Sequence, residues 1–255
     1  MMDGELRFDF RGRVAVVTGA GRGIGRAAAE ALIACGASVV AVTRTEESAA
    51  SLRALSQDGL VPIVGDAGEG ATADRAIEEV DRRFGRLDMV VNNAGELVKR
   101  APMVDWRLEE WDRIQASNAR SVFAFCRASH DGLRQSGSGS VVNVASLASL
   151  VGISNAVAYS ASKGAVALLT KALAAEWGPD GVRVNAVAPG YIETDLNADL
   201  RRNETDLAES LRRRVPLSRW GTPNDVTGLI LFLCSRASAY ITGTVIPVDG
   251  GVAAH

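Results

Sequence analysis

Seven short apolar runs rich in Val, Ile and Ala, each separated from the next by longer and more polar chain, limit what this sequence can fold into more than any other feature. They lie at 13–18 (RVAVVT), 37–42 (ASVVAV), 60–64 (LVPIV), 87–91 (LDMVV), 140–145 (SVVNVA), 182–187 (VRVNAV) and 244–248 (TVIPV). Runs such as VAVV and SVV lack the apolar–polar alternation of a half-wet strand, as strands covered on both faces do. Between them, helices are expected at about 23–35, 45–57, 71–84, 108–135, 156–177 and 223–235. Strand and helix in alternation predict an α/β, doubly wound architecture, a seven-stranded parallel sheet with helices on both faces. At 255 residues and 47% hydrophobic content the chain can bury such a core as a single domain spanning 1–255. One stretch breaks the rhythm: 193–219 is polar and charge-rich, and an excursion of that length in a compact fold is expected to be a substrate lid.

Charge and cysteine usage narrow the partner. The formal net charge is −2 and no dense Lys/Arg tract occurs, so nothing marks a surface for nucleic acid or an anionic membrane. A small-molecule substrate is expected instead. Cys35, Cys126 and Cys234 are far apart, with no CxxC spacing and only two His in the chain, which predicts neither a disulfide framework nor a metal site. A reducing cytoplasmic setting fits. The N-terminal MMDGELRFDFRGR has no apolar leader core, and no run approaches the roughly 20 apolar residues a membrane span needs.

The first run ends in TGAGRGIG, Thr18 to Gly25, and a helical pattern starts at once. Strand, glycine turn and helix N-terminus together make an anion site, because free N–H groups and the helix dipole converge there. A dinucleotide pyrophosphate is its usual occupant. The spacing is GxxxGxG, through Gly19, Gly23 and Gly25, rather than GxGxxG. About 20 residues on, where an acid would hold an adenosine ribose diol, the second strand instead ends in Val42-Thr43-Arg44. Arg44 can bind a 2′-phosphate bidentately, Thr43 adds a hydroxyl, and Arg22 brings a second positive charge, so NADP(H) is favoured over NAD(H). Glu46 and Glu47 remain within reach of a ribose as the opposing reading.

Tyr159 and Lys163 stand four apart in AVAYSASKGAV, on one face of a helix. An unperturbed phenol titrates near 10 and is a poor acid or base at neutral pH. An ammonium roughly 6 Å away at an effective dielectric of about 20 favours tyrosinate by about 2.8 kcal/mol, or about two pK units. A positively charged oxidised nicotinamide ring close by would lower it further. Such a pair suits general acid/base work on a carbonyl. Upstream, SVVNVAS leaves a strand at Ser146, whose hydroxyl could hold the substrate oxygen; Ser149, farther into the loop, competes for that role.

TGAGRGIG, NNAG (92–95), NVAS with Ser146, YSASK (159–163) and APGYIET (188–194) resemble, in order and spacing, the short-chain dehydrogenases/reductases, over nearly the whole chain. The resemblance implies a Rossmann-like domain in which Tyr159 is the acid/base, Lys163 tunes it and holds the nicotinamide ribose, Ser146 orients the carbonyl, and Asn118 holds a water relaying protons to Lys163. It places Gly19, Gly23, Ile24 and Gly25 at the pyrophosphate, Asp66 near adenine, and Asn92 beside the adenosine ribose with Ala94 and Gly95 next to it. Pro189, Gly190, Ile192 and Thr194 would frame the nicotinamide. Two positions depart from the family pattern: Ala119, where a larger apolar residue normally accompanies the kink that presents Asn118, and Glu96, a carboxylate where an apolar residue is common. ELVKRAPM (96–103) and the stretch 190–223 resemble the gluconate and deoxygluconate dehydrogenases, implying a sugar acid or related polyol. The lid arginines Arg201, Arg202, Arg212, Arg213 and Arg214 are then either carboxylate attractors or the wet face of a helix whose apolar stripe is Leu207, Leu211 and Val215. A 3-oxoacyl-thioester reductase is the alternative, and a non-catalytic NADPH-binding scaffold a further one. Apolar residues on more than one side of 108–135 and 156–177 (Val122, Phe123, Phe125; Leu168, Leu169, Leu173), with the resemblance, imply a homotetramer.

Overall fold

The computed structural model describes residues 8–55, 59–97 and 99–254. The stretch read above as lacking a leader core lies largely outside them, as do the last residues of the second expected helix. Strands β1 (Val14–Thr18), β2 (Ser38–Thr43), β3 (Leu60–Val64), β4 (Met89–Asn92), β5 (Ser140–Val144), β6 (Arg183–Pro189) and β7 (Val245–Val248) form a parallel sheet in the order β3-β2-β1-β4-β5-β6-β7. The expected architecture is the one observed. Pro62 and Pro247 fall on the two edge strands, β3 and β7, where a missing N–H can face the unpaired side.

The uninterrupted Val/Ala runs follow from cover on both faces. Val14, Val16, Val40 and Val90 enter one apolar layer, with Val80, Phe125 and Val166 of the helices there. Ala15, Val17, Val39 and Val91 enter the other, against Leu32, Val226 and Ile230. Each such side chain, fully buried, contributes roughly 1.5–3 kcal/mol relative to exposure. Helices α1 (Gly23–Ala34) and α9 (Pro223–Cys234) cover the second layer; α3 (Gly70–Phe84), α5 (Ser121–Gln135) and α6 (Val157–Trp177) cover the first. Helix α2 (Glu46–Arg53) follows β2.

One expectation needs correction. The helix anticipated over 108–135 is α4 (Leu108–Gln115) and α5 joined by a π-turn at Ala116–Arg120, so the kink around Asn118 forms although Ala119 is small. The excursion at 193–219 carries regular structure: a 3₁₀ turn at Asp195–Asn197 leads into α7 (Ala198–Asn203) and α8 (Thr205–Arg213), the latter holding Leu207 and Leu211 of the apolar stripe. Strand order reverses between β1 and β4, and that switch point opens a crevice at the carboxyl ends of the strands. No helix among the described residues is long and apolar enough to cross a membrane.

Candidate active site

A cleft of about 620 Å³ occupies this switch point. Its floor is the turn from β1 into α1. Gly19 (φ +64°) and Gly23 (φ +57°) hold left-handed backbone that other residues rarely adopt. The turn is tied down from β4: Thr18 Oγ1 accepts the N–H groups of Asn93 and Ala94, both at 3.0 Å, and Asn93 Nδ2 donates to the carbonyls of Thr18 (3.0 Å) and Gly19 (3.2 Å). Gly25 serves this closure and not the cleft: a Cβ there would lie 2.3 Å from Asn93 Nδ2 and 2.4 Å from Gly19 O. Helix α1 begins at Arg22 with no side-chain cap and no acid in its first turn. Its first N–H groups and the positive end of its dipole are therefore left for an anion, and the residues fit a pyrophosphate.

Gly19, Arg22, Gly23 and Ile24 line the cleft from this side, and Gly21, absent from the expected set, does so too. A Cβ on Gly21 would meet Thr43 Oγ1 at 2.7 Å, so only glycine lets the turn pass the tip of β2. At that tip Thr43 and Arg44 face the cleft, as does Asp66 beyond β3, its Oδ1 held by the N–H of Gly68 at 2.7 Å. Of the two acids beyond Arg44, Glu47 borders the cleft, whereas Glu46 pairs with Arg53. From β4, Ala94 and Gly95 line it, and Pro189, Gly190, Ile192 and Thr194 close it from beyond β6. Asn92 does not. As the last residue of β4 it turns into the sheet, 2% exposed, donating to Asn143 Oδ1 (2.9 Å) and to Cys126 Sγ. Its neighbour Asn93 is the cleft residue.

The chemistry sits where β5 ends. Ser146 leaves the strand extended and lines the cleft, whereas Ser149 is bonded back to the Ser146 carbonyl. Ser146 Oγ accepts from Ala148 N–H at 3.1 Å, which leaves its own O–H to donate to Tyr159 or to a ligand. Tyr159 and Lys163, one turn apart on α6, both line the cleft, with Lys163 Nζ 5.8 Å from the Tyr159 ring centre. Lys163 is 4% exposed, and Nζ donates to the Val144 carbonyl at 2.8 Å, with two further N–H groups available. A Cβ on Gly95 would come within 3.0 Å of Asn118 Oδ1 and 3.4 Å of that Nζ, so glycine there chiefly makes room for Asn118.

Electrostatics at the pair run against the simple expectation of a lowered phenol. Burial pushes Tyr159 above its ordinary value and the Ser146 hydroxyl pulls only part of the way back. Burial also brings Lys163 down from 10.5 to about 8. The Coulomb argument from sequence charged nothing for removing both groups from water, and desolvation is the larger effect here. At neutral pH Lys163 still carries its proton.

Asn118 differs from expectation as well. It lies behind the cleft wall, fully buried in the π-turn, with its side chain engaged: Oδ1 accepts from Glu96 N–H (2.7 Å), and Nδ2 donates to the Glu96 carbonyl (3.1 Å) and to Ser162 Oγ (2.9 Å). Ser162 in turn donates to the Tyr159 carbonyl at 2.7 Å. The side chain thus fixes the Glu96 loop against α6. The 193–219 segment contributes Asp195 and Asn197 to the cleft, and Asn197 reaches back to the carbonyl of Ile192 at 2.6 Å. None of the five lid arginines lines it. Arg201 pairs with Glu193, Arg202 with Asp199, and Arg212 and Arg213 with Glu209. Among the described residues no group of three or more His, Cys, Asp or Glu converges as metal ligands.

The chain is similar to known proteins over nearly its whole length. The family model described as Enoyl-(Acyl carrier protein) reductase matches residues 19–253. A tropinone reductase homologue of Arabidopsis thaliana is 41% identical over 254 residues, 98% of this chain and 96% of that one. The 2-dehydro-3-deoxy-D-gluconate 5-dehydrogenase of Bacillus subtilis is 37% identical over 247 residues, 96% of each chain. Among solved structures, a gluconate 5-dehydrogenase from Burkholderia cenocepacia, in complex with NADP and tartrate, matches with a TM-score of 0.90 at 35% identity over 98% of each chain.

Proposed function

Since the chain belongs to the short-chain dehydrogenase/reductase family and is an oxidoreductase acting on CH–OH groups, we propose that it interconverts a ketone and a secondary alcohol on a sugar acid or related polyol, with NADP(H) favoured over NAD(H). The observation carrying this reading is one cleft that joins an uncapped helix N-terminus to a phenol, an ammonium and a serine hydroxyl. When bound, the nicotinamide supplies or accepts the hydride and, oxidised, a positive charge beside the phenol. Gly19, Gly23 and Ile24 hold the pyrophosphate with backbone N–H groups. Thr43, Arg44 and Arg22 receive the 2′-phosphate, Asp66 borders the adenine, and Pro189, Gly190, Ile192 and Thr194 frame the nicotinamide.

In the reducing direction Tyr159 gives its phenolic proton to the carbonyl oxygen as charge develops there, and Ser146 donates a hydrogen bond to the same oxygen. The phenolate left behind is stabilised by Lys163, whose remaining N–H groups also hold the ribose. In the oxidising direction Tyr159 takes the hydroxyl proton. Asn118 acts through position: it holds the Glu96 loop and, through Ser162, the turn of α6 that carries Tyr159.

The segment 193–219 serves as the lid over the substrate. Phe123 on α5 and Leu168 on α6 are 57% and 69% exposed and support a homotetramer, though Val122 and Phe125 are spent inside the chain's own core. A cytoplasmic location accords with three unpaired cysteines. A panel assay following NADPH oxidation on keto-sugar acids, keto-polyols and β-ketoacyl thioesters tests the substrate. Turnover highest on the hydroxylated acids or polyols is expected, and thioesters outrunning them would install the 3-oxoacyl-thioester reductase reading instead.

A further inference from the structure

Among the described residues Glu96 is the carboxylate that reaches across the cleft to the arginine at the tip of β2. Its Oε2 lies 3.5 Å from Arg44 Nη1 and its Oε1 3.0 Å from Arg113 Nε on α4. The Glu96 side chain is 19% exposed, while the two arginines are 60% and 57% exposed. Oε1 is buried yet has no well-aligned donor, so charge more than hydrogen-bond geometry holds it. The backbone of residue 96, by contrast, is fixed on both sides by Asn118. A rigid stem therefore presents a carboxylate that can turn between two guanidinium groups.

Resting on the reading of Arg44 as the ligand of the cofactor phosphate, we propose that Glu96 sets the selectivity between phosphorylated and unphosphorylated nicotinamide cofactors. It is the resident counter-anion of Arg44. A 2′-phosphate arriving at Arg44 meets this carboxylate as a like charge within a few ångströms and must displace it. Arg113 provides the place to which Glu96 retreats. A ribose carrying a free 2′-hydroxyl meets no such opposition, and its hydroxyl can donate to the Oε2 that faces Arg44. Removing the charge of Glu96 therefore helps NADPH and not NADH, whereas removing Arg113 strands Glu96 on Arg44 and hinders NADPH.

Fluorescence titration of NADPH and NADH into wild type, Glu96→Gln, Arg113→Ala and the double variant tests this, with melting temperatures to confirm folding. For exposed pairs of this kind the effect expected is about threefold to tenfold. Glu96→Gln tightens NADPH by that factor and leaves NADH equal or weaker. Arg113→Ala weakens NADPH, and the double variant matches Glu96→Gln, because without the carboxylate nothing needs a retreat. Equal shifts for both cofactors, an unchanged Glu96→Gln, or an Arg113 effect that persists in the double variant would overturn the proposal. Wild-type preference for NADH would remove the NADP(H) preference proposed above, while the change in ratio between variants still decides the role of Glu96.

Discussion

The two walls of the cleft are built on different principles. The glycine-turn wall is locked from within: Thr18 and Asn93 make four hydrogen bonds across β1 and β4, and Gly25 and Gly19 approach too closely for any side chain. On the 193–219 wall four arginines pair within the segment, Arg201 with Glu193, Arg202 with Asp199, and Arg212 and Arg213 with Glu209, while Arg219 pairs with Asp225 of α9. Backbone geometry thus recognises the part common to every turnover, the dinucleotide. The 193–219 segment adds the polar side chains Thr194, Asp195 and Asn197 to the cleft, while most of its arginines are held in ion pairs. Variants on the first wall should fail steeply, and variants on the second should scarcely register.

The steepest failure is expected for Gly25→Ala, whose Cβ would sit 2.3 Å from Asn93 Nδ2 and 2.4 Å from a backbone carbonyl. Overpacking together with lost Asn93 bonds costs about 3 kcal/mol in urea unfolding and more than tenfold in NADPH affinity. A variant as stable as wild type would mean that the turn is looser than its geometry indicates.

Lys163→Met is next and has the opposite sign for stability. The folded lysine titrates at about 8 against 10.5 unfolded, so below pH 8 it burdens the fold by about 3 kcal/mol, reduced to about 2 kcal/mol by its bond to Val144. Because the folded value is the lower one, the unfolded chain holds more protons between the two values, and the burden disappears as pH rises toward 10.5. Melting at pH 7 should therefore show the variant more stable but inactive, with its advantage gone near pH 10.5. A variant destabilised at pH 7 would show that the ammonium stabilises the fold instead.

The smallest effect is expected on the lid. Arg212→Ala breaks a surface pair worth at most about 1 kcal/mol, so NADPH affinity and KM for a sugar acid should each stay within about threefold. A tenfold rise in KM would turn that arginine into a substrate ligand and erase the contrast between the walls.

This contrast tracks what was legible in the sequence. All seven strands were readable because continuous Val/Ala runs have no other use in a chain of this length, and the glycine turn because its spacing follows a strand. Asn92 was misplaced for want of a period-two reading. Met89 and Val91 face one apolar layer and Val90 the other, so Asn92 must turn inward with Val90. The π-turn at Ala116–Arg120 left no compositional mark, since one extra residue in a helix changes neither propensity nor period visibly. Helix α8 was legible in the apolar stripe Leu207, Leu211 and Val215, of which Leu211 is buried, whereas the charge-rich α7 carries no such stripe. Desolvation of Tyr159 and Lys163 was invisible for the same physical reason: it depends on what packs around the pair and not on their spacing.

Everything about the chemistry turns on the phenol of Tyr159. Steady-state turnover of Tyr159→Phe, measured beside its affinity for NADPH, probes that most directly. Loss of about a thousandfold in kcat with affinity held within about threefold is the predicted result. Turnover within tenfold of wild type would contradict it and assign the proton to another group in the cleft.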